Sequence, residues 1–172
     1  EEKKLKKTIF WLSALILLTP LVVSQSFTYP FVFPKAIFFR IVASLIFLTY
    51  FALLVKNFKK YYPRFSILGI GILAYAVIFI VSSLFAFDVS RAWWESHERM
   101  LGTFTMLHFF VLFLVWRQVF NKDKMLKLLD IFCMSGSIAL LIALMQKDLD
   151  PQFFLNRGHD RISATLGNTI YL

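Results

Sequence analysis

Cysteine occurs once in this chain, at Cys133. No intrachain disulfide is therefore available, and no thiolate pair exists to hold a metal. Cys133 falls inside an apolar run and reads as a small buried apolar residue. The three histidines have neither HExxH nor Cys-pair company, so the spacing offers no metal site. No serine stands in a nucleophile elbow. Acids are scarce: ten Asp and Glu face nineteen Lys and Arg, for a net charge of +9. That balance could suit nucleic acid, but a single-strand binder needs a basic, aromatic-interleaved soluble surface. None is written here. The chain also lacks internal repeats, low-complexity linkers and the period-two polarity of a membrane β-barrel.

What the chain has is apolar length. Hydrophobic residues make up 59% of it, with 21 Phe, against about 45–50% in an ordinary soluble domain. Five runs stand out, at 8–26, 36–55, 65–86, 103–119 and 128–145. A hydrocarbon core about 30 Å thick needs roughly 20 helical residues. Backbone groups in lipid must be satisfied internally, which makes each run a helix. The expected fold is therefore all-α: a polytopic transmembrane bundle of about five spanning helices in a single domain, 1–172.

Charge sorts the connections. Lys3, Lys4, Lys6, Lys7, Lys56, Lys59, Lys60, Arg64, Arg117, Lys122, Lys124 and Lys127 share one side, twelve of the nineteen cations. Cytoplasmic loops carry the Lys/Arg excess, so the N-terminus is expected inside. The outer loops are then 27–35, 87–102 and 146–172. The first run also has the basic flank and apolar centre of a signal peptide, with a weak cleavage signal at Val22–Ser24. Its loss would leave the sidedness of the rest unchanged. Pro30 and Pro34 bracket an aromatic interfacial turn. Gly69 and Gly71 read as points of close helix packing. Thr169–Leu172 reads as the start of a further apolar element, which makes the chain a fragment of a larger bundle.

Chemistry is confined to the outer loops. One reads FDVSRAWWESHERMLG and another KDLDPQFFLNRGHDRISATLGNTIYL. The plainer account of the first is an interfacial loop with an i,i+4 pair, Glu95–Arg99. His108, inside the fourth run, reads as a neutral imidazole bonded to a neighbouring helix. The functional account gathers Lys35, Arg40, Arg91, Arg99, Arg157 and Arg161 around one outer pocket. Such cations bind phosphate oxygens.

Three stretches carry a resemblance. They are Phe31–Lys35; Ser90-Arg91-Ala92-Trp93-Trp94 followed by Glu98–Gly102; and Arg161-Ile162-Ser163-Ala164-Thr165-Leu166-Gly167-Asn168. Together they resemble the O-antigen ligase and polymerase-like membrane proteins, whose signature is close to the third stretch. Ala164 departs from the usual Gly, and Thr169-Ile170 from Pro-Asn. The resemblance implies a metal-independent membrane glycosyltransferase of the bacterial inner membrane that needs no cofactor. It would take a glycan from an undecaprenyl-diphosphate carrier to a glycan, lipid or protein acceptor hydroxyl on the periplasmic face. Arg99, Arg161, Arg91 and Lys35 would hold the diphosphate, with Arg40, His97, His159 and Asn168 behind them. The catalytic base would lie beyond Leu172. A transporter or flippase of a polyanionic lipid-linked substrate is the alternative from another class, and a non-catalytic membrane subunit is a third.

Overall fold

A computed structural model of the chain describes residues 1–63, 66–96, 99–148 and 162–167. The described residues are all-helical, with no strand. The helices are α1 (Glu2–Ile16), α2 (Phe33–Lys56), α3 (Phe58–Tyr61), α4 (Ile67–Leu84), α5 (Val89–Trp94), α6 (Thr103–Val119) and α7 (Lys122–Asp148). Three of them, α2, α4 and α7, are long and apolar enough to cross a membrane. The fourth run forms α6 at the expected bounds, an apolar helix of 17 residues.

The first run differs most from its expected bounds. Its helix starts early, at Glu2, and stops at Ile16, followed by a 3-10 turn at Thr19–Leu21. Pro20 explains the stop, because its ring excludes the preceding turn and it has no N–H to donate. The Thr19 hydroxyl donates to the freed Ile16 carbonyl. Pro34 acts in the opposite sense: it lies in the first turn of α2, where its missing N–H would have had no partner. Lys35 is therefore helical rather than part of the preceding loop.

α1 packs along α2, α2 along α6, and α4 against α6. The core is built from Ile9, Val42, Ile46, Leu53, Val115 and Leu128, contributed by α1, α2, α6 and α7. Trp116 donates its indole N–H to Ser13 Oγ at 2.8 Å, which joins α6 to α1. α4 instead exposes apolar side chains on most of its surface, with Ile67 at 91%, as a lipid-facing helix does. Two expectations fail on this geometry. Cys133 is exposed on α7 rather than buried, because the outer face of a helix in lipid is as apolar as its inner face. Gly71 has open space where a Cβ would stand, so among the described residues no helix packs closely there, although Gly69 two positions earlier is buried.

The bundle has two distinct ends. At one, the start of α1 meets the end of α2 and α3: Glu1 pairs with Lys56, and Glu2 pairs with Lys60 at 3.0 Å. Phe120, just past α6, lies edge-on to Phe10 of α1 at this end. At the other end lie the starts of α2 and α6, the segment before α6, and the 162–167 segment. The basic connections thus gather at one end, and Lys35 and Arg99 at the other.

Candidate functional site

The second end is assembled by polar ties between segments far apart in sequence. Asp88 caps α5 by accepting from Arg91 N at 2.9 Å. Glu95, at φ 62°, terminates α5. Both Arg99 N and Met100 N then donate to the Ser96 carbonyl, and Met100 adopts φ 52°. Two left-handed non-glycine residues so close together turn the chain sharply back on itself. Gly102 permits the return, since a Cβ there would collide with the Trp93 carbonyl.

Arg40, on α2, holds this turn. Its Nε and one terminal nitrogen donate to Thr105 Oγ1 at 3.0 and 2.7 Å, and that nitrogen also donates to the Met100 carbonyl at 3.0 Å. The guanidinium lies 5.3 Å from the Phe104 ring centre, a cation–π distance. Lysine could not make this forked set of contacts.

The 162–167 segment is held from two sides. Gln146, fully buried near the end of α7, accepts through Oε1 from Ser163 N at 3.3 Å and Ala164 N at 2.8 Å. Lys35 Nζ donates to the Thr165 carbonyl. Leu166 N and Gly167 N close the turn on the Ser163 carbonyl. Gly167 takes φ +79°, and a Cβ on it would enter the Phe31 ring. Two independent constraints therefore require glycine there.

Around these ties lies a pocket of about 800 Å³, lined by residues that include Phe31, Lys35, Arg99, Met100, Thr105, Leu166 and Gly167. Among the described residues, no Asp or Glu lines it. Among the described residues, neither Lys35 nor Arg99 has a carboxylate partner. The first residues of α2 also line it, adding the positive end of a helix. The result is a cationic pocket, and such an arrangement suits phosphate oxygens.

The candidates from sequence separate accordingly. Lys35 and Arg99 come together. Arg40 stands behind them as a brace of the 99–105 turn. Arg91 is exposed on α5, outside the pocket lining. Arg157, Arg161, His97, His159 and Asn168 lie outside the described residues. The Glu95–Arg99 pair is not formed, because α5 ends at Trp94. His108 bonds a neighbouring helix: Nδ1–H donates to the Phe104 carbonyl at 2.7 Å and Nε2 meets Ser44 Oγ of α2 at 3.2 Å. Sequence reasoning missed Gln146 and Thr105. A hint of Gln146 was present, since it shares a helix face with the small residues Ser135, Ala139 and Ala143, all buried. No metal-ligating cluster occurs among the described residues.

No family model, curated protein or solved structure matches the chain.

Proposed function

We propose that the chain belongs to a membrane glycosyltransferase of the O-antigen ligase and polymerase type, acting on an undecaprenyl-diphosphate-linked glycan at the outer face of the bacterial inner membrane. One observation supports the reading: parts of the three stretches that carry the resemblance, among them Phe31, Lys35, Arg99, Leu166 and Gly167, line one cationic pocket with no Asp or Glu among its described lining residues, although residues 90–94 lie outside it. In this reading Arg99 and Lys35 hold the diphosphate, and the resemblance assigns the same role to Arg161, which lies outside the described residues. The acceptor oxygen bonds to the anomeric carbon as the bond from that carbon to the diphosphate oxygen breaks. Charge grows on the departing diphosphate, and cations already in place stabilise it there. The acceptor's proton passes to a general base. The transport alternative has less support, because α2, α4 and α7 run unbroken, whereas transporter sites are commonly built on interrupted helices.

The test is glycan transfer by the full-length protein in native membranes. Arg99→Ala and Arg161→Ala should each lower turnover at least a hundredfold at unchanged protein level. Wild-type transfer by both variants would remove the assignment.

A further inference from the structure

α1 carries lysines at positions 3, 4, 6 and 7, all within its first two turns. Cations are disfavoured at that end of a helix, and Lys3 and Lys7 repel each other at i,i+4 spacing. Glu1 and Glu2 do not relieve them, because they pair with Lys56 and Lys60. Lys6 turns to Tyr61, with its ammonium 5.1 Å from the ring centre. Lys3, Lys4 and Lys7 stay exposed, with no carboxylate partner among the described residues. The Glu1–Lys56 pair also sets their depth. Lys56 is the last residue of α2, which is long and apolar enough to cross a membrane, so α1 starts level with the membrane surface. From there one face of α1 runs Lys3, Lys7, Trp11 and Leu15 at four-residue intervals, and every member is exposed. Trp11 is 60% exposed and Leu15 41%. The Trp11 indole N–H has no acceptor among the described residues.

We propose that this face of α1 binds one anionic diacyl phospholipid of the leaflet at the basic end. Its phosphate rests on Lys3 and Lys7, an ester carbonyl accepts from the Trp11 N–H, and an acyl chain lies along Leu15. The depths agree: at about 1.5 Å per residue, Trp11 lies about 6 Å and Leu15 about 12 Å deeper than Lys7. That is the order of phosphate, ester and chain in a phospholipid, and tryptophan favours the middle level. Charge complementarity selects an anionic head over a zwitterionic one, since the two ammonium groups are unpaired. The continuation through Trp11 to Leu15 selects a lipid over a soluble phosphate or a nucleic acid, which would use the lysines alone. The inference rests on the basic end lying at the membrane surface and is independent of the reading of the Lys35–Arg99 pocket.

The experiment measures binding of dioleoyl phosphatidylglycerol to the full-length protein in dodecyl maltoside micelles by native mass spectrometry. Dioleoyl phosphatidylcholine and glycerophosphate are the comparison probes. Phosphatidylglycerol should bind at least tenfold more tightly than either. Lys3→Gln with Lys7→Gln should weaken it about tenfold or more. Lys59→Gln with Lys122→Gln removes the same charge from the same end but off this face, and should cost less than threefold. Lys3→Arg with Lys7→Arg should bind as the wild type does, which separates loss of charge from loss of fold. Trp11→Phe keeps the ring and removes the N–H, and should weaken binding at least twofold. Equal losses in the two glutamine pairs would reduce the effect to bulk charge and overturn the site. A matching loss in the arginine pair would overturn it as well, and an unchanged Trp11→Phe variant would overturn the ester contact. Glycerophosphate binding as tight as phosphatidylglycerol, or displacement of the lipid by a single-stranded oligonucleotide at equal concentration, would overturn the assignment to a lipid.

Discussion

At the residue scale, the pocket depends on a few side chains whose task is to hold backbone. Gln146 is the clearest. Replacing it with Leu keeps the volume and strands the Ser163 and Ala164 N–H groups. A buried donor left unpaired costs about 1–3 kcal/mol. Gln146→Leu should lower the thermal midpoint in detergent, and hydrogen exchange should rise at 163–167 while α1 and α2 stay protected. Uniform exchange across the chain would contradict that local role. Gly167→Ala combines a left-handed backbone with a collision against Phe31, and a strained left-handed residue costs of order 1–3 kcal/mol. It should displace the turn and weaken phosphate binding more than Gly71→Ala, which meets open space. Equal effects of the two substitutions on binding would count against the turn as a pocket wall. Arg40→Lys keeps the charge and loses the fork across Thr105 and Met100. It should impair phosphate affinity nearly as much as Arg40→Ala, and full retention would show that charge alone suffices.

At the scale of elements, the bundle is closed at its basic end by contacts between helix termini. Glu2 accepts from Lys60, from Asn57 at 3.3 Å and from the Tyr61 hydroxyl at 3.0 Å. Tyr50 donates to the Tyr61 carbonyl at 2.7 Å, holding α3 beneath α2. These bonds, led by Lys60, depress the Glu2 carboxyl from its usual 4.5 to about 2. The same pairing raises Lys60 above its usual 10.5. A depressed acid stabilises the fold above its unfolded pKa, and that contribution fades as pH falls through the folded value. A raised lysine acts the other way, contributing below its unfolded pKa and losing it as pH rises through the folded one. The junction of α1 with α2 and α3 should therefore hold unchanged from about pH 5 to 10 and loosen toward pH 2. Spin labels on α1 and α3 would report it. Glu1, held below its usual value by Lys56, titrates at the same junction, so Glu1→Gln and Glu2→Gln together should remove the acid step, and a step that persists in the double variant would assign it elsewhere.

At the scale of the whole molecule, the apolar runs disclosed the helical class, and the Lys/Arg distribution set the expectation of which connections share a side. Both signals come from composition over many residues, so local detail does not disturb them. Element ends were harder. Pro20 stops α1 at Ile16 within an unbroken apolar run, because hydropathy does not register a missing N–H. Lys35 and Arg99 were legible as candidates because a cation beside an apolar run is conspicuous. Gln146 and Thr105 were not, because their importance comes from a backbone N–H and a guanidinium brought to them across 17 and 65 positions, from Ser163 and Arg40. The meeting of Phe31, Lys35, Arg99 and Gly167 around one pocket is likewise a property of the folded chain alone.

The account as a whole requires the two bundle ends to face opposite sides of the membrane, with the Lys35–Arg99 pocket outward. Single cysteines at positions 60 and 99, introduced into the full-length protein carrying Cys133→Ser, can be labelled with a membrane-impermeant maleimide in sealed cells. Position 99 should react from outside, and position 60 only after the membrane is opened. Reaction of both from the same side, or protection of position 99 until opening, would contradict the account.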